Sequence, residues 1–184
     1  MKGYPMIHPF EPVYDQESKV LILGSFPSVK SRETGFYYGH PQNRFWKVIS
    51  TIVGEAVPVS NDAKKEFLLR HHLALWDVLA SCEITGSSDA SIKNAVPNDL
   101  SQLIKHSQIK MIITNGNTAY TFFDRFIKTD PSLKVFRLSS TSAANAAMSI
   151  DKLTEKWSKV LKPTLVGEDS PVVTTHIHED QTIV

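Results

Sequence analysis

Short apolar runs of β character alternate along this chain with longer stretches of helical periodicity. Val20-Leu21-Ile22-Leu23 is a continuous apolar run, as expected of a strand covered on both faces. From Asn43 to Val53, the residues Phe45, Trp46, Val48, Ile49, Ile52 and Val53 fall on one side of a helix, and Gly54 stops it. The span from Asp62 to His72 predicts a second helix, with Asn61 or Asp62 as its cap and Glu66 placed for a capping box. Leu73–Leu79 reads as the next strand and leads into a polar loop over 81–91. A short helix from Asn98 to His106 follows Pro97, and Lys110–Thr114 is a third strand. Asn117 to Ile127 is the helix behind it, Val135–Leu138 a fourth strand, and Ser149 to Leu161 a last helix ended by Pro163. This alternation predicts an α/β fold, three layers α/β/α around a central, mainly parallel four-stranded sheet. One domain over 1–163 is expected, with a C-terminal extension over 164–184 in which Val172–Thr175 is a candidate edge strand.

The chemistry concentrates directly after the first strand, where residues 24–46 read GSFPSVKSRETGFYYGHPQNRFW. In open α/β sheets ligands sit where loops leave the carboxyl ends of strands. Gly24 allows close approach of a backbone, and Pro27 stiffens the turn. Phe26, Phe36, Tyr37 and Tyr38 offer flat faces, and His40, Gln42 and Asn43 offer hydrogen bonds. Stacking faces beside amides suit a planar heterocycle such as an extruded nucleobase. The same aromatics are also what a core next to a strand would use, and Asn43 also stands where a helix N-cap belongs.

This stretch resembles the uracil-DNA glycosylase superfamily, and within it the hypoxanthine-DNA (deoxyinosine) glycosylase branch. Gly24-Ser25-Phe26-Pro27-Ser28 is similar to that branch's first motif, and residues 37–46, YYGHPQNRFW, to its second block. The mismatch-specific uracil glycosylases share Thr34-Gly35-Phe36, His40-Pro41 and 43–48, but place Asn where Phe26 stands here. Weaker similarity continues through 76–78, 86–89, 115–119 and 138–142, so the resemblance spans roughly residues 18 to 162. It implies a monofunctional glycosylase that hydrolyses deoxyinosine, with removal of uracil or thymine from mismatches as the nearest alternative. A non-catalytic nucleotide- or nucleic-acid-binding α/β module and an inactive family member are the other readings.

The resemblance also implies roles for residues. Asn43 is the candidate catalytic group, because Phe26 fills the position where better-known members hold an Asp or Asn that places water. Gly24, Ser25, Phe26, Pro27, Ser28, Tyr38 and His40 are expected to bind the base, through stacking and through backbone amides near its carbonyl oxygen. Ser139, Ser140, Thr141, Ser142 and Asn145 correspond to a loop that enters the minor groove. Ser139 and Ala143 replace two prolines of the family pattern there, which predicts a more flexible loop. A plain polar connection capping the last helix is the competing reading of that loop, and an ordinary β–α turn that of Asn115-Gly116-Asn117. Asp77 and Asp89 are carboxylates near strand ends whose motif support is too weak to assign either a role. Trp46, Trp76 and Trp157 are expected in the core.

Composition narrows the rest. A chain of 184 residues with 41% hydrophobic and 21% charged residues is of ordinary globular make-up for one domain. No apolar run approaches the ~18–20 residues of a membrane span. One cysteine, Cys82, excludes an internal disulfide and argues against an iron–sulfur cluster. The net charge of +1 is low for a DNA-binding domain, so any cationic footprint has to be local, and Lys30, Arg32, Arg44 and Lys47 are the candidates. His176 and His178 form an HxH pair without a third ligand nearby, so a plain tail is expected rather than a metal site. Together with the enzyme and substrate that the resemblance implies, the expectation is a monomeric, cytoplasmic enzyme acting on DNA containing deaminated bases, without metal or redox cofactor.

Overall fold

The computed structural model describes residues 5–166. The candidate edge strand Val172–Thr175 and the His176/His178 pair lie outside the described residues. Four strands, β2 (Val20–Gly24), β3 (Leu73–Asp77), β6 (Met111–Asn115) and β7 (Lys134–Leu138), form one sheet in the order β3-β2-β6-β7. Every pairing in it is parallel. Because both faces are covered, β2 carries an uninterrupted apolar run and β3 and β6 begin with one, and alternate residues serve two separate cores. Val20, Ile22, Leu73, Leu75 and Ile113 pack under helices α2 (Phe45–Val53), α3 (Asn61–Arg70) and α6 (Ile150–Val166), through Phe45, Ile49, Leu68, Leu153 and Trp157. Leu21, Leu23, Ala74 and Ile112 face the opposite way, toward α4 (Ser101–Lys105) and α5 (Asn117–Phe126), through Leu103, Ala119 and Phe123. The three-layer α/β/α expectation therefore holds.

Several local expectations do not. The single strand expected over Leu73–Leu79 is two, because the chain turns after Asp77. β4 (Leu79–Glu83) then joins β1 (Met6–Ile7) and β5 (Lys93–Pro97) in a small antiparallel sheet. The short polar helix α1 (Val29–Thr34) falls inside what reads as loop, opened by Ser28, whose hydroxyl accepts from the Ser31 N–H. Helix α3 is capped by Ser60 rather than Asn61 or Asp62, since the Ser60 side chain reaches the Ala63 N–H. Asn61 instead donates to the Thr34 carbonyl. Pro163 does not end the last helix, which continues to Val166. A proline there removes one N–H and leaves the Lys159 carbonyl without its i+4 donor, a loss tolerable in the final turns. Trp157 and Trp46 are core residues as expected.

The strand order creates the opening that matters. From β2 the chain returns to the sheet at β3 on one side, and from β6 it returns at β7 on the other. The loops leaving the carboxyl ends of β2 and β6 therefore diverge and leave a crevice between them, where open α/β sheets bind ligands.

Candidate active site

A cleft of about 1530 Å³ occupies this crevice. Gly24, Ser25, Phe26, Pro27, Ser28, Tyr38, His40 and Asn43 line it from the first two motifs, and residues 139–145 line it from across the sheet. Segments about a hundred residues apart in sequence thus share one cavity. Asp77 and Asp89 line it too.

Asn43 sits one residue before the α2 cap position. Its Oδ1 accepts from the Phe45 N–H and from the Thr141 hydroxyl, both at 3.0 Å. Thr141 is fully buried and is clasped in turn by Asn115, which donates to its hydroxyl and accepts from its N–H. These bonds tie the start of α2 to the ends of β6 and β7. With both bonds falling on Oδ1, the Asn43 NH₂ group is turned to the cleft with no partner among the described residues. Asn43 therefore caps the helix through its oxygen and presents donors through its nitrogen. Thr141, expected to meet DNA, has its side chain inside this network.

Arg44 decides the shape of the 139–148 loop. Its backbone N–H and guanidinium reach the carbonyls of Thr141, Ser142, Asn145 and Met148. Asn145 donates to the Ser140 carbonyl at 2.9 Å, and the Trp157 indole to that of Ser139 at 3.1 Å. The loop expected to be loose for want of prolines is thus held from outside by one arginine. Gly116, at φ +101°, lets Ser140 lie against β6, since a Cβ there would stand 2.9 Å from the Ser140 Cβ.

The cationic patch expected from Lys30, Arg32, Arg44 and Lys47 is not the one the fold makes. None of the four lines the cleft. Lys30 pairs with Glu33, Arg32 donates to the Pro27 carbonyl, and Arg44 is committed to the loop. Arg137, Lys152, Lys156 and Lys159 line it instead, the three lysines one or two turns apart on α6. That i, i+4, i+7 spacing is visible in the sequence once a helix over 149–161 is expected.

Tyr38 and Phe26 differ in what they can offer. Phe26 is 7% exposed and packs with Leu21, Leu23 and Val78, its ring edge-on to His8. Tyr38 adopts φ +53°, a left-handed conformation that costs a bulky residue about 1–2 kcal/mol. One face of its ring is stacked on Phe45 at 4.1 Å, and burial raises its phenol well above the ordinary range, with Asp77 adding to the effect. Its hydroxyl is buried without a hydrogen-bond partner, although Asn115 stands near with its amide engaged by Thr141. His40 accepts the Gln42 N–H at Nδ1, 3.1 Å away, which leaves the proton on Nε2. Ser25 donates to Asp89 at 3.0 Å. Asp89 still meets solvent in the cleft, but the protein around it desolvates its carboxyl and raises its pKa. The Ser25 and Thr118 hydroxyls counter this and the Asp77 charge adds to it.

Sequence reasoning missed His8. Its Nε2 donates to Asp77 Oδ2 at 2.8 Å, with the two side chains only 4% and 5% exposed. Nothing local in the sequence marks His8, because its partner lies 69 residues away. Among the described residues no cluster of three or more His, Cys, Asp or Glu could hold a metal, and no helix is long and apolar enough to cross a membrane.

Residues 11–162 match the family model of the uracil DNA glycosylase superfamily. The chain belongs to that superfamily. Hypoxanthine DNA glycosylases of Methanosarcina barkeri and Methanosarcina acetivorans are 32% and 33% identical to it over 155 residues, covering 83% of this chain and 96% of each relative. The solution NMR structure of a candidate uracil DNA glycosylase from M. acetivorans superposes with a TM-score of 0.72 at 30% identity. That match covers 88% of this chain and 99% of the other. The chain is accordingly a DNA glycosylase, an enzyme of DNA repair that binds DNA. His8 lies just outside the residues that the superfamily model matches.

Proposed function

We propose that this glycosylase hydrolyses deoxyinosine in DNA and releases hypoxanthine, with the damaged nucleotide swung out of the duplex into the cleft between β2 and β6. The observation that carries the reading is the single cavity lined by the GSFPS turn, Tyr38, His40 and Asn43 on one side and the 139–145 loop on the other. The relatives named hypoxanthine DNA glycosylases support the choice of base.

In the reaction the C1′–N9 bond breaks with its electron pair leaving on the base, and a water oxygen bonds to C1′. The base takes up a proton and the water loses one. The transition state carries positive charge on the sugar and negative charge on the base, so preorganised dipoles stabilise it most effectively. Phe26 cannot hold water, whereas the Asn43 NH₂ faces the cleft as a fixed donor. We assign Asn43 the catalytic role and the GSFPS turn with Tyr38 and His40 the binding of the base. The 139–142 segment and Asn145 shape the loop that meets the duplex. Water alone is the co-substrate, and a monomer suffices.

Purified protein is to be incubated with duplexes carrying one deoxyinosine, one uracil or one thymine mismatch, and alkali-labile abasic sites counted. Preferential cleavage at deoxyinosine is expected. Faster release of uracil would transfer the assignment to the mismatch-uracil reading, and no cleavage of any duplex would sink it.

A further inference from the structure

Two polar atoms converge on one point of the cleft wall. Gly24 is paired in register with Asp77 on the neighbouring strand. A Cβ on Gly24 would stand 2.3 Å from Asp77 Oδ1 and 3.1 Å from the Tyr38 hydroxyl. All three residues line the cleft. Only glycine leaves room for both side chains there.

Neither atom is satisfied by the protein. The Tyr38 hydroxyl is buried without a partner, and among the described residues no hydrogen bond reaches Asp77 Oδ1. Oδ2, in contrast, is held by His8 Nε2, and the Asp77 backbone carbonyl by Asn98. With Nδ1 accepting the Phe10 N–H, the ring proton sits on Nε2 and points at Asp77, so the carboxylate is fixed with one oxygen turned away. Tyr38 is held by its strained backbone and its stack on Phe45. The result is a rigid acceptor beside a rigid donor.

That pattern matches one chemical group. Hypoxanthine presents a C6 carbonyl acceptor next to an N1–H donor. Adenine reverses both, with an amino donor beside a bare N1 acceptor. A carboxylate accepts only, and a phenol can donate. We propose that Asp77 and Tyr38 read the lactam edge of the extruded base, Asp77 accepting N1–H and Tyr38 donating to the adjacent carbonyl, with His8 as the positioning residue for Asp77. Deamination is the conversion of an amino group beside a bare ring nitrogen into a carbonyl beside N–H. The pair therefore selects a lactam edge and rejects adenine, whose bare N1 would face the Asp77 carboxylate acceptor against acceptor. The inference rests on the reading of the cleft as a base pocket.

The test compares substrates and then swaps the reader. With the intact enzyme, 1-methyldeoxyinosine, which lacks N1–H, should be cleaved about tenfold or more slowly than deoxyinosine. Adenine, equal in size to hypoxanthine, controls for the bulk of the methyl group. As a free-base competitor it should bind about tenfold or more weakly. In Asp77→Asn the amide oxygen takes the His8 proton and the NH₂ turns to the base, so hypoxanthine binding should weaken and adenine binding strengthen. Tyr38→Phe removes one hydroxyl and keeps the stack. It should slow deoxyinosine cleavage about tenfold while leaving affinity for abasic-site DNA at the parental value. Equal cleavage of deoxyinosine and 1-methyldeoxyinosine, or full activity of Tyr38→Phe, overturns the inference and leaves the glycosylase reading standing. Absence of deoxyinosine cleavage with hypoxanthine still preferred over adenine would do the reverse.

Discussion

Asn43 carries two functions on two atoms, and two substitutions separate them. In Asn43→Ala the Phe45 N–H loses its cap and the Thr141 hydroxyl its acceptor. The cap contributes about 1 kcal/mol and a second hydrogen bond about as much, so a loss near 2 kcal/mol of stability is expected. Asn43→Asp keeps an oxygen for both bonds. Its charge at the N-terminus of α2 adds about 0.3–1 kcal/mol in the favourable direction. Its stability should therefore stay close to that of the parent. What the aspartate lacks is the NH₂ donor that faces the cleft. If that donor stabilises the departing base or places the water, its loss should slow base release by about 10²–10³-fold, as for other preorganised donors at developing charge. Urea unfolding gives the stabilities, and single-turnover cleavage of a deoxyinosine duplex gives the rate per folded molecule. The expected pattern is that Asn43→Asp is stable but slow, whereas Asn43→Ala is both destabilised and slow. Release at the parental rate by Asn43→Asp would refute the reasoning and reduce Asn43 to a helix cap.

Three further outcomes are expected. Replacing Lys152 and Lys156 with alanine should reduce the dependence of log Kd on log salt by up to about two units of slope, near 0.9 for each phosphate no longer neutralised, in titrations of an abasic duplex; an unchanged slope would place the DNA backbone elsewhere. Arg44→Ala removes the guanidinium from the carbonyls of Thr141, Ser142, Asn145 and Met148 and keeps only the backbone N–H bond to Thr141, so it should cost about 2–3 kcal/mol in urea unfolding and raise amide hydrogen exchange across 139–148. Unaltered exchange there would mean that the loop holds itself. For Asp89 the folded pKa lies above the unfolded one, so parental stability is lost as pH rises from the ordinary carboxylate range through the raised value. Asp89→Asn stays neutral, and its stability relative to the parent should increase across that window; a relative stability that is flat or falling with pH would contradict the assignment.

The parallel sheet, the two cores and most helices were legible in the sequence, because they rest on local periodicity. Val20–Leu23 and Met111–Ile113 read as buried strands since every residue is apolar, and Phe45–Val53 reads as a helix since its apolar positions recur at helical spacing. The GHPQNRFW block likewise marked the cleft, as its residues are contiguous. The small antiparallel sheet was not legible. Lys93–Pro97 is polar and ends in proline, with Asn94 at φ +49°, and it is a strand only because β4 is there to pair with it. Helix α1, with its sequence VKSRET, has no apolar face to reveal it, and the Ser28 cap that opens it looks like any serine in a turn.

What the tertiary structure decided is which of many plausible side chains meet. Arg44 looked like a phosphate-binding cation and is a clamp on four carbonyls, since α2 brings it beneath a loop about a hundred residues away. Lys152 and Lys156, which no motif singles out, border the cleft. Asp77 had only a weak motif around it. It becomes a fixed acceptor because strand register sets it against Gly24 and because β1 delivers His8 to its far oxygen. Periodicity reports which face of an element is buried; it carries no information on which distant residue that face will meet. Partners such as His8 and Asp77 are chosen by the packing of whole elements, and only coordinates bring them together.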